Sequence, residues 1–140
     1  MTMRGLVLLA HGARDPSWAA PFEAVAKRAR LKSPATTVRL AFLELMQPNL
    51  EAVGVELADL GCTRVDIVPL FLGAGGHVRR DVPAQVEQLR VAHAGIAWNL
   101  HDAVGETAHV VAALADSALD LAGLGLGLHF GHDPHDCTGT

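Results

Sequence analysis

Aromatic side chains are scarce in this chain: 140 residues include no tyrosine, two tryptophans and four phenylalanines. Half of the residues are nevertheless hydrophobic, so Val, Leu and Ala have to fill any core. Charge is scarce too, at 19% of residues with a formal net charge of -4. That balance offers no basic surface of the kind nucleic acid or an acidic membrane attracts. An anionic ligand has to be held by local basic groups instead. Two cysteines, Cys62 and Cys137, are too few for a disulfide framework, and the expected compartment is a reducing cytoplasm. The N-terminus runs directly into a strand-like segment without a signal-peptide design. Gly, Arg or Asp interrupts every apolar run well short of the roughly 20 residues that a membrane span requires. The length suits one domain around one core. Histidine is the residue in surplus, with eight copies.

Apolar periodicity divides the chain into alternating strands and helices. Gly5 to Ala10 is an unbroken apolar run suited to a parallel strand buried on both faces. Asp15 and Pro16 resemble an N-cap and N1 pair, and Trp18, Phe22, Val25, Ala26 and Ala29 recur at helical spacing up to Lys32. Thr37 to Leu45 reads as a second strand, followed by a helix marked by Pro48, Leu50, Val53, Leu57 and Leu60 and stopped by Gly61. Arg64 to Leu72 is the third strand, made imperfect by Pro69. After the turn from Gly73 to Gly76 comes a helix with Val78, Val82, Val86 and Leu89 on one face. Ile96 to Leu100 is a short fourth strand. Glu106 to about Leu121 is the fourth helix, with Val110, Val111, Leu114, Ala118 and Leu121 expected to face inward.

This alternation predicts an α/β fold: a flavodoxin-like three-layer sandwich with a four-stranded parallel sheet in the order 2-1-3-4, its helices on both faces through right-handed crossovers. The expected domain spans residues 1–122, and residues 123–140 are read as a flexible, His-rich tail.

Open parallel sheets bind ligands beyond the carboxyl ends of their strands, where the strand order reverses. The residues falling there are His11 after strand 1, Glu44 at the end of strand 2 and His77 just past strand 3. Two imidazoles and a carboxylate suit a borderline divalent ion such as cobalt, nickel, iron or zinc and leave positions open. A structural zinc site more often closes with four protein ligands, and Cys62 falls at the opposite end of the sheet. Gly75 and Gly76 let the backbone approach a bulky ligand, and the helix that follows favours negative charge. Arg14, Arg79 and Arg80 can pair with ligand carboxylates, although each also suits a solvated helix start. The loop lacks the endings of a P-loop and the spacing of a dinucleotide fingerprint.

Three strings, Leu8 to Pro16 (LLAHGARDP), Arg39 to Pro48 (RLAFLELMQP) and Val68 to Pro83 (VPLFLGAGGHVRRDVP), together resemble the small CbiX-type sirohydrochlorin chelatases, a branch of the class II chelatases. The resemblance covers about Gly5 to Glu106, and the third string is its most specific part. It implies a lyase that inserts cobalt, or iron or nickel in close relatives, into sirohydrochlorin or a derivative during cobalamin, sirohaem or related porphyrin-type biosynthesis. It also implies a chelatase-like fold, no nucleotide hydrolysis, no cofactor besides the metal substrate, and pairing as a homodimer. The matching positions are His11, Glu44 and His77, as metal ligands and catalytic groups. Where the first motif often reads His-Gly-Ser, Ala13 stands in place of the serine and removes a hydroxyl.

Two other readings remain at this level. His129, His132 and His135 with Asp133, Asp136 and Cys137 form a ligand-rich string, which fits a non-catalytic metal-binding or delivery protein. A phosphoryl-transfer histidine after strand 1 is disfavoured because such enzymes usually have an arginine before the His-Gly pair, and this chain has Ala10.

Overall fold

The first apolar run forms the body of strand β1 (Arg4–Ala10), flanked in parallel by β2 (Thr37–Phe42) and β3 (Arg64–Pro69). In the computed structural model, which describes residues 3–125, β4 (Ala97–Leu100) pairs with β3 and completes the expected order, β2-β1-β3-β4. Register follows burial. On one face Val7, Leu9, Val65 and Ile67 meet helices α2 (Leu50–Asp59) and α3 (Gly76–Ala92). Leu50, Val53 and Leu57 of α2 are buried, as are Val78, Val82, Val86 and Leu89 of α3. Each such side chain contributes roughly 1.5–3 kcal/mol by leaving water. On the other face Leu8 and Val38 lie under Ala26 of helix α1 (Ala20–Lys32).

Several boundaries differ from the sequence expectation, each for a local reason. Asp15 does cap, its Oδ1 accepting from the Ser17 amide at 2.9 Å, but it caps a short 3-10 turn over Pro16–Ala19, and α1 begins only at Ala20. β2 ends at Phe42, because the chain beyond it turns through Leu45 at φ 64°. β3 ends at Pro69, whose ring nitrogen has no hydrogen to give to the ladder. Asn49 starts α2 by accepting from the Ala52 amide at 2.8 Å.

The chain divides into two compact units, Met1–Thr107 and a second beginning at Ala108. Helix α4 (Ala108–Leu121) lies in the second, and none of its residues is buried. Val111, Leu114 and Leu121, expected to face inward, are 54%, 48% and 90% exposed. Periodicity identifies an apolar face, but does not say what covers it. Among the described residues no helix is long and apolar enough to cross a membrane.

Candidate functional site

His11 is the first residue after β1, and neighbouring strand exits hold it from both sides. Its carbonyl accepts from the Glu44 amide at 3.0 Å, just as that of Ala10 accepts from Leu43 at 2.8 Å. Its ring lies against Phe71, with centroids 4.3 Å apart and planes inclined by 32°. Phe71 is buried, so this contact orients the imidazole while leaving it half-buried at the rim. Gly12 follows at φ 98°, and a Cβ there would run into the Glu44 carbonyl oxygen. Only glycine combines that backbone conformation with so close an approach.

Glu44 is exposed, and Leu45 after it stands in the left-handed region with its apolar side chain in solvent. A branched residue seldom adopts that conformation without a local reason. Leu72, next to Phe71, is also solvent-exposed. The rim around His11 therefore presents two apolar side chains to solvent beside its polar ones.

His77 is the second residue of α3, behind the N-cap Gly75, and is exposed. Among the described residues nothing lies within 4 Å of where a Cβ on Gly75 or Gly76 would stand, so the backbone is open to an approaching molecule. Arg79 donates from Nε to the Ala74 carbonyl at 3.0 Å, and its Nη2 lies 3.7 Å from Glu106 Oε1. Arg80 donates to the Gly76 carbonyl at 3.4 Å. Arg14 is exposed, with no carboxylate partner among the described residues. Beside Phe71 opens a cavity of about 350 Å³ between α3 and the segment after β4.

His11 and Glu44 are thus neighbours through the backbone, and His77 opens the helix that follows the adjoining strand. Among the described residues no three His, Cys, Asp or Glu side chains stand as a group able to hold a metal ion. Cys62 is buried just before β3, at the opposite end of that strand from the exit beside His11. The ligand-rich string from His129 to Cys137 lies outside the described residues.

Sequence reasoning missed Phe71, which reads as one more apolar strand residue, and also the group around Asp66. Asp66 is buried on β3. Its Oδ2 accepts from Arg4 Nη2 at 2.9 Å, its Oδ1 pairs with His101 Nε2 at 2.9 Å, and Arg64 Nε lies 3.7 Å away. Burial pushes its carboxyl pKa up, but the hydrogen bonds from His101 and Arg4 and the nearby Arg64 charge outweigh that and hold it below the ordinary value. The alternation of Arg64 and Asp66 along one strand was the only available signal.

The CbiX family model matches residues 5–121. A sirohydrochlorin cobaltochelatase of Sulfurisphaera tokodaii is 31% identical over 88 residues, covering 63% of this chain and 72% of the archaeal protein. The enzyme of that name from Methanopyrus kandleri is 32% identical over 81 residues, covering 58% of this chain and 57% of its own. Among solved structures, a CbiX protein of Marinobacter aquaeolei named for cobalamin (vitamin B12) biosynthesis superposes with a TM-score of 0.76 at 32% identity, covering 86% of this chain and 98% of that one. The sirohydrochlorin chelatase SirB from Bacillus subtilis subspecies spizizenii, in complex with cobalt, shares the fold with a TM-score of 0.75 at 22% identity, over 86% of this chain and 52% of its own. With its sheet order, its His11 rim and a family match running from β1 through α4, this chain belongs to the CbiX family.

Proposed function

We propose that this chain is a chelatase that inserts a divalent metal, cobalt first among the candidates, into sirohydrochlorin or a close derivative. The observation that carries this reading is the placement of His11. It is wedged between the exit of β2 at Glu44 and Phe71 beyond β3, in a chain whose CbiX-family relatives are named sirohydrochlorin cobaltochelatases.

The tetrapyrrole lies over the strand exits, its face on the apolar rim. The incoming ion is the second substrate. His11, His77 and Glu44 take it up as the macrocycle arrives, a donor set of two imidazoles and a carboxylate that leaves coordination positions free for pyrrole nitrogens. Insertion replaces two pyrrole N–H protons by the metal. A neutral imidazole accepts a proton near neutral pH; the histidine that has let go of the ion takes one of the two, since one nitrogen cannot bind metal and proton at once, and the other proton leaves to solvent water. No nucleotide and no resident cofactor take part. Arg14, Arg79 and Arg80 face the carboxylates of the macrocycle, with Gly75 and Gly76 admitting its edge.

The chain works in the cytoplasm and pairs with a second copy, in keeping with the exposed apolar side chains of α4. A net charge of -4 offers neither nucleic acid nor an acidic membrane an electrostatic foothold.

The test is an anaerobic absorbance assay of purified protein with sirohydrochlorin and Co2+, Fe2+ or Ni2+ in turn, against the spontaneous rate. Acceleration with cobalt is expected, and His11→Ala should abolish it while the protein stays folded. Failure of the wild type to accelerate any metal, combined with stoichiometric metal binding, would favour a delivery protein.

A further inference from the structure

The cavity beside Phe71 is walled by apolar side chains, among them Phe71, Val78, Val82 and Ala103, all buried. Phe71 also forms the support of the His11 ring, so whatever enters the cavity is next to whatever lies over His11. Among the described residues, Arg79 is the guanidinium that lines it. Arg79 is oriented by the bond from its Nε to the Ala74 carbonyl, and its Nη2 is 3.7 Å from Glu106 Oε1. That separation is an ion pair without a hydrogen bond, and it leaves guanidinium donors for a better acceptor. Glu106 is presented by a firmly seated turn: the Gly105 amide donates to the Phe71 carbonyl at 2.9 Å, and that of Glu106 donates to Ala103 at 3.0 Å. A Cβ on Gly105 would collide with the backbone of Leu72, which keeps this turn tight against the exit of β3.

We propose that this cavity is the subsite for one carboxylate-bearing arm of the macrocycle, with Arg79 as its counter-ion and Glu106 as the group the arm displaces. This rests on the chelatase reading, since sirohydrochlorin carries acetate and propionate side chains around its ring. The arm's methylenes lie on the apolar wall, and its carboxylate makes the paired hydrogen bonds with Arg79 that Glu106 does not. Asp102, which also lines the cavity, opposes a second carboxylate, and His101 is engaged with Asp66. The subsite therefore takes one arm and fixes the rotation of the macrocycle over His11.

The two partners give opposite predictions. Binding of metal-free sirohydrochlorin is measured by quenching of tryptophan fluorescence, with Lys32→Leu as a same-charge control on the far end of α1. Arg79→Leu should raise Kd about tenfold, with Arg79→Lys in between. Glu106→Gln should lower Kd about two- to fivefold by removing the competitor. In the double variant that gain should vanish. If the wild type binds and Arg79→Leu binds equally well, or Glu106→Gln binds more weakly, the subsite is wrong while the chelatase reading stands. Lack of binding by the wild type would overturn both. Should Arg79→Leu fail to fold, Glu106→Gln and Arg79→Lys still decide the matter.

Discussion

Gly12→Ala puts the geometry of the rim under direct load. The residue sits at φ 98°, and its missing Cβ is the space that the Glu44 carbonyl occupies. Alanine pays the conformational cost of that region, about 1–2 kcal/mol, whatever its surroundings. The added carbon also cannot stay so near the oxygen, because carbon–oxygen contacts settle at about 3.3 Å. The Glu44 segment must then move by about 1 Å or more, and displacements of that size near reacting groups can lower turnover on the order of a hundredfold. For a domain of this size, with a urea m-value of about 1.5 kcal/mol/M, the conformational term alone lowers the unfolding midpoint by about 1 M. Urea denaturation and the metal-insertion assay on one preparation read both consequences. Wild-type midpoint and turnover together would refute the assigned backbone path at His11 and Glu44.

Phe71→Leu keeps an apolar side chain in a buried position, so stability should fall by only about 1–2 kcal/mol. The aromatic support of His11 is lost, and kcat should drop more than the stability change predicts; an unchanged kcat would mean that the ring contact does not orient the imidazole. Asp66 contributes to the acid limb, as does Asp15, whose carboxyl is held below its ordinary value by its hydrogen bonds with Ser17. The folded pKa of Asp66 lies below the ordinary carboxylate value, so its contribution is fully present above the unfolded pKa of about 3.9 and is lost as pH falls through the lower folded value. Asp66→Asn should therefore lower stability at neutral pH and flatten its decline below about pH 4, as followed by circular dichroism. An acid limb as steep as the wild type's would place the titrating group elsewhere.

Local sequence determined the strands, their parallel order and the buried face of α3, because an unbroken apolar run and a 3.6-residue repeat each describe burial by a known surface. It also put His11 beside the exit of β2 at Glu44, since a residue directly following a strand emerges at that strand's carboxyl end, while His77 falls at the start of the helix after β3. The family match to residues 5–121 extends past the Glu106 limit that the motifs suggested. Tertiary structure alone decided that the His11 ring rests on Phe71, that Gly12 lies against the Glu44 carbonyl, that Arg79 and Glu106 face each other at a cavity, and that Asp66 gathers Arg4 and His101. These contacts join residues far apart in sequence and depend on strand register and side-chain direction, neither of which periodicity encodes. The same limit applies to α4, whose apolar positions were legible while their exposure was not.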